Sequence, residues 1–145
     1  QNLRKFLARL PKEIHFAVEF RERGWMFDWT YEELEKNSVA LALVEGSWIP
    51  RELTFEAMGK LENNFAYIRY MGERDLTAFD KIYRAQDTNL QMWADEIKKL
   101  KATEKYIYFS NFYEGHAPAS ANKLKKLLGQ KTNDASSLET QKSLF

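Results

Sequence analysis

The sequence contains no cysteine, so it can form no disulfide and offers no thiolate to a metal. It has only two histidines, His15 and His116, too few for a histidine-based metal cluster within this chain. No apolar run approaches the ~20 residues that a membrane-spanning helix needs. The start is charged and amphipathic (Arg4, Lys5, Arg9), which leads us to expect no signal peptide. Charge of one sign is also lacking. Lysine and arginine total 22 against 21 acidic residues, a net charge of +1, so no global field directs the chain to nucleic acid or to a membrane surface. Together these absences lead us to expect a cytoplasmic protein.

What is present is apolar and aromatic. Hydrophobic residues make up 44% and aromatic residues 14% of 145 residues, enough for one core of useful size. Leu3, Phe6, Leu7 and Leu10 recur at helical spacing until Pro11 stops them. Ile14 to Phe20 is a short apolar run with one charge and predicts a strand. Thr30 and Glu33 form the S/T-x-x-E pattern of a capping box, which predicts a short helix ending near Asn37. Val39 to Val44 predicts a second strand. Residues 46–64, broken by Pro50 and Gly59, read as irregular. Phe65 to Tyr70 predicts a third strand, and residues 72–88 a long polar connection. Leu90, Trp93, Ala94, Ile97 and Leu100 form one helical stripe. Tyr106 to Phe109 predicts a fourth strand. A last helix opens at Pro118 and stops at Gly129. Residues 130–145 are polar and without period, and read as a loose tail.

Continuous apolar strands alternating with amphipathic helices specify a parallel α/β sheet covered on both faces. The 25–40-residue repeat is that of a (β/α)₈ barrel, but only about four strands are present. We therefore expect residues 1–129 to be the C-terminal half of a TIM-like β/α barrel domain. An open doubly wound sheet is the alternative, although no Gly-rich phosphate loop follows its first strand. A four-stranded half leaves two free edges, so it predicts a partner: a missing N-terminal half or a second chain.

In such a barrel the chemistry sits at the C-terminal strand ends. Period two places Ala17, Glu19 and Arg21 on one face, toward the barrel interior, with Phe16, Val18 and Phe20 opposite. By the same reasoning Tyr67 and Arg69 point inward from the third strand, and Tyr108 and Ser110 from the fourth. Asn111 begins the turn that follows, and NFYEGHAPAS leads through Gly115 and His116 into a helix N-terminus that favours an anion. Two arginines against one carboxylate leave excess positive charge, which suits a phosphate- or carboxylate-bearing small molecule. We expect Glu19 to bond one arginine and Arg69 to be the free one, facing Asn111 and the Gly115 turn. A satisfied interior ion network is the competing reading. Glu45, whose strand face is ambiguous, could form a glycosidase-like pair with Glu19. Trp25, Trp29 and Trp48 fall just past strand ends, where they could stack on a base or sugar or simply cover the core. With the mouth arginines they make a nucleic-acid-binding module the alternative to an anion site, and a non-catalytic remnant is a third reading. The connection 72–88 is expected to lie over this site as a lid, or to carry a short helix around Phe79 to Tyr83. No metal site and no specific cofactor follow from these residues.

The segments FAVEFRERGW, AYIRYMG and YFSNFYEGHAPASANKLKKLLG together resemble the YecE-like family, a domain of unknown function with a TIM-barrel fold. The resemblance spans about residues 3–129. It implies that Glu19, Arg21, Trp25, Arg69, Gly72, Asn111, Gly115, Ala121 and Asn122 are family positions. The chain departs from the family pattern at Glu22, Gly24, Met71 and Ser110. The resemblance implies a barrel but brings no established reaction.

Overall fold

A computed structural model describes residues 2–132. Helix α1 (Asn2–Leu7) leads into strand β1 (Phe16–Val18), a single 3₁₀ turn (Arg23–Trp25) and helix α2 (Asp28–Lys36). Strand β2 (Val39–Glu45), helix α3 (Arg51–Lys60), strand β3 (Phe65–Tyr70) and helix α4 (Asp87–Lys99) follow. Strand β4 (Glu104–Phe109), the short helix α5 (Asn111–Glu114) and helix α6 (Ala117–Leu127) complete the order. The four strands form one sheet in the order β1-β2-β3-β4, parallel throughout. The sheet is open, with β1 and β4 at its edges.

The core lies on one face of the sheet, between strands and helices. Leu41, Leu43, Ile68 and Tyr70 point into it from the strands and meet Leu7, Leu34, Met58, Leu90, Trp93 and Ile97. Burying such side chains is the main force holding the layer together. The opposite face carries Ala17, Glu19, Ala42, Phe65, Tyr67, Arg69, Tyr106 and Tyr108. The period-two reading therefore holds for Ala17, Glu19, Tyr67, Arg69 and Tyr108, whereas Arg21 and Ser110 do not line this face and Phe16 borders it.

Three expectations are corrected. Residues 46–64 are not irregular, because they contain α3. Pro50 occupies the N-cap and starts that helix rather than breaking one. Gly59 sits in its last turn, where an added Cβ would meet nothing within 4 Å. The Thr30–Glu33 pair does not cap α2. That helix already begins at Asp28, whose charge suits the N-terminal dipole, and Thr30 is buried inside it. Glu33 is instead gripped by Arg4 of α1 through two hydrogen bonds of 2.7 Å. Strand β1 is shorter than the predicted run, spanning only Phe16 to Val18.

Gly129 does end the last helix. It adopts φ +70°, and Gln130 N–H then donates to the Lys125 carbonyl at 2.8 Å, satisfying an end carbonyl. Residues 133–145 of the expected tail lie outside the described residues. Among the described residues, no helix is long and apolar enough to cross a membrane.

Candidate functional site

The face of the sheet turned away from the helices is concave and encloses about 780 Å³. Its floor is aromatic. His15 stacks on Phe65 with ring centroids 4.5 Å apart, Phe65 meets Tyr106 edge-on, and Tyr67 lies 5.2 Å from Tyr108. Above these rings, toward the C-terminal strand ends, stand Glu19 and Arg69.

The two are bonded directly, Arg69 Nη1 donating to Glu19 Oε2. Arg21 Nε donates to the other oxygen, Glu19 Oε1, at 3.3 Å. One carboxylate thus serves two guanidiniums. The expectation that Arg69 is the free arginine is corrected. Its side chain is 33% exposed and Glu19's 19%, whereas Arg21's is 65% exposed. Arg21 extends past the end of β1 and stacks over Trp48, its guanidinium carbon 5.4 Å from the ring centroid. Trp25 packs on Phe20, with nearly parallel rings 5.0 Å apart.

Glu45 does not join this face. Its Oε2 accepts from Arg51 Nε at 2.8 Å and from the Trp93 indole at 2.6 Å. This ion pair belongs to the helix side, so no carboxylate pair with Glu19 forms. Beside it lies a smaller cavity of about 290 Å³, bordered by Glu45, Gly72, Arg84, Gln86, Asn89 and Tyr113. Burial pushes the Tyr70 and Tyr113 hydroxyls well above the ordinary phenol range, so both stay neutral.

The residues of the last turn sit together but do not line the concave face. Ser110 caps α5, its hydroxyl accepting from Phe112 N–H at 3.2 Å. Asn111 Oδ1 accepts from Ala117 N–H at 2.9 Å, and His116 Nδ1 accepts from Ala119 N–H at 3.3 Å as the N-cap of α6. These side chains spend their acceptors on the backbone. Gly115 takes φ +113°, and a Cβ there would lie 2.6 Å from the Lys81 carbonyl oxygen. Gly72, at φ +70°, would place a Cβ 2.2 Å from the Phe112 carbonyl oxygen. Both positions need glycine because two backbones cross there.

The connection 72–88 forms no helix around Phe79 to Tyr83. It packs on α5: Tyr83 N–H donates to the Glu114 carbonyl at 2.7 Å, and Arg84 Nη2 to the Phe112 carbonyl at 3.2 Å. It lies by the C-terminal strand ends, yet none of its residues lines the concave face. What sequence reasoning missed at this site is the role of Trp48, which fixes Arg21. Among the described residues, no group of three or more His, Asp or Glu side chains could hold a metal ion.

Solved structures resemble this chain. A DUF72 family protein from Thermotoga maritima matches with a TM-score of 0.64 and 24% identity, over 88% of this chain and 50% of its own. A DUF72 family protein from Enterococcus faecalis matches with a TM-score of 0.63 and 19% identity, over 100% of this chain and 55% of its own. The chain therefore spans about half the length of these solved relatives. No curated protein matches it. A family model described as "Protein of unknown function DUF72" matches residues 1–143. YecE-like is another name for that family, and the chain belongs to it.

Proposed function

We propose that these four strands are half of an eight-stranded parallel barrel whose C-terminal mouth holds a ligand bearing a phosphate or carboxylate. Arg21 is the group that contacts it. One observation carries this reading: a single carboxylate, Glu19, is shared between two guanidiniums at the rim of an open concave face. The sum of those three charges is +1. Arg69 is consumed by Glu19. Arg21 engages Glu19 only through Nε, while Trp48 supports its planar face, so the Nη edge remains for an anion. The aromatic floor beneath suits the apolar body of such a ligand. In a parallel barrel the strand ends carrying Glu19, Arg21 and Arg69 are where ligands bind.

The test is thermal melting of the 145-residue chain in increasing inorganic phosphate. Binding to the folded state raises the melting temperature with concentration. We expect that rise in the wild type and its loss in Arg21→Met, with the ligand-free melting temperature nearly unchanged. A rise that survives in Arg21→Met, or none in the wild type, would sink the assignment. If a single-stranded oligonucleotide stabilises the chain with a steep salt dependence instead, the site reads nucleic acid rather than a small anion.

A further inference from the structure

The smaller cavity, about 290 Å³, is bordered by the two inner strands and the segments that follow them. Neither edge strand contributes to it. The loop after β2 supplies Gly46 and Ser47, and α4 supplies Asn89. The connection 72–88, absent from the concave face, borders this cavity with Gly72, Glu73, Arg84 and Gln86.

Its walls are held by bonds within the chain. Glu45 is fixed by Arg51 and the Trp93 indole. Arg84 is fixed by Asp75, at 2.8 and 3.1 Å, and by the Phe112 carbonyl. A preformed concavity of this kind is the usual shape of a small-molecule site, and its volume suits a small ligand.

Charge decides what it can hold. Glu45 and Arg84 already have partners of opposite sign. The N-terminus of α4 is occupied as well: Gln86 N–H donates to the Glu114 carboxylate at 2.8 Å, and Asp87 stands in the first turn. Glu73, 79% exposed, is solvated. An anion therefore meets no unmatched cation here among the described residues, and a cation meets only a carboxylate in water.

The groups that remain are neutral and bond in both directions. Gln86 Oε1 accepts from Asn89 Nδ2 at 2.6 Å, which leaves Gln86 Nε2 to donate and Asn89 Oδ1 to accept. Ser47 adds a hydroxyl on the exposed side. Tyr113 is 3% exposed, and its hydroxyl meets no hydrogen-bond partner among the described residues. Burial, and after it the Glu45 carboxylate, keep that phenol protonated and able to donate. A buried polar group without a partner is costly, and a ligand that supplies one recovers the cost.

We propose that this cavity binds a neutral polyhydroxylated molecule of monosaccharide size, whose hydroxyls pair with Ser47, Gln86, Asn89 and Tyr113. Each ligand hydroxyl both donates and accepts, as this mixed set requires. The site is separate from the barrel mouth and does not use Arg21.

Amide NMR of the 145-residue chain, titrated with D-glucose, D-ribose and myo-inositol at millimolar concentration, tests the proposal. At that concentration the general stabilisation of proteins by excluded sugars is absent. We expect saturable shifts at Gly46, Ser47, Gly72 and Asn89 with at least one of these polyols, and none at Arg21 or Trp48. Tyr113→Phe should weaken binding roughly tenfold, the worth of one hydrogen bond. Its ligand-free melting temperature should stay level or rise, because the hydroxyl it removes has no partner. Asn89→Leu should abolish the shifts in a chain that still melts cooperatively. The absence of saturable shifts with all of the polyols overturns the proposal. So do equal shifts from inorganic phosphate or methylammonium, unchanged binding in both variants, or a lowered melting temperature in Tyr113→Phe. Arg21→Met should keep polyol binding while losing the phosphate response, so the two sites can fail separately.

Discussion

Replacing Arg69 with Met tests which arginine is scaffold. Arg69 Nη1 bonds Glu19 Oε2, and Glu19 is only 19% exposed. The truncation leaves that carboxylate with the 3.3 Å bond from Arg21, whose side chain is mostly in solvent. Losing a hydrogen bond to a charged group costs about 1.5–3 kcal/mol. Stranding a fully buried charge costs about 3–5 kcal/mol, but the Glu19 carboxylate is 19% exposed and keeps its bond from Arg21, which relieves part of that. We expect about 2 kcal/mol, a fall in melting temperature of roughly 4–8 °C for a chain of this size. Arg21→Met removes an exposed contact worth about 0–1 kcal/mol and should barely move the transition. The assay is paired calorimetry of the two variants with and without phosphate. If Arg69→Met melts like the wild type and loses the phosphate response, then Arg69 is the ligand contact and Arg21 is not.

Two further outcomes follow from the helix side. Glu45→Ala should cost about 3 kcal/mol in denaturant unfolding, because it leaves Arg51 and the Trp93 indole without their shared acceptor; a loss under about 1 kcal/mol would show the pair to be incidental. Hydrogen bonds from Arg4 hold the Glu33 carboxyl down to about 2 from its ordinary 4.5, so its stabilisation is full above pH 4.5 and is lost as pH falls toward 2. The gap in melting temperature between wild type and Glu33→Gln should narrow across that window, and a gap independent of pH would refute the assignment.

Much of the fold was readable because it follows from backbone periodicity. Alternation from Ala17 to Glu19 and from Tyr67 to Tyr70 separates core-facing from concave-facing side chains whatever the strand partners are. The four strands and the stripe of α4 were legible for the same reason. Helix α3 was not, because its signal is weak where a stripe should be strong. Its buried residues are Thr54, Ala57 and Met58, small or flexible rather than bulky. Pro50 carries opposite meanings at a helix start and in a helix interior, and the flanking sequence did not decide between them. The Thr30–Glu33 spacing matched a capping box, but Arg4 competes for the same carboxylate from another helix. A local motif loses to a tertiary partner of opposite charge.

The strand-end side chains were legible in direction at Glu19, Tyr67, Arg69 and Tyr108 but not in pairing. Glu19 and Arg21 are two residues apart on one face, which made them look like the natural pair. Along a strand, though, two residues separate their Cβ atoms by about 6.6 Å, and β1 ends at Val18, so Arg21 already leaves the sheet. Arg69 is two strands away, roughly 9–10 Å across a flat sheet. The sheet is concave on this side, and inward side chains from β1 and β3 converge on one level. The same convergence brings His15 onto Phe65 one end lower. Curvature therefore brings Arg69 onto Glu19, while Arg21 keeps a 3.3 Å bond to the same carboxylate and reaches outward over Trp48. No alternation pattern along a single strand encodes that curvature. It arises from the twist of successive parallel strands and the helices packed behind them. The arginine that sequence proximity assigned to the scaffold is the one the fold turns toward solvent.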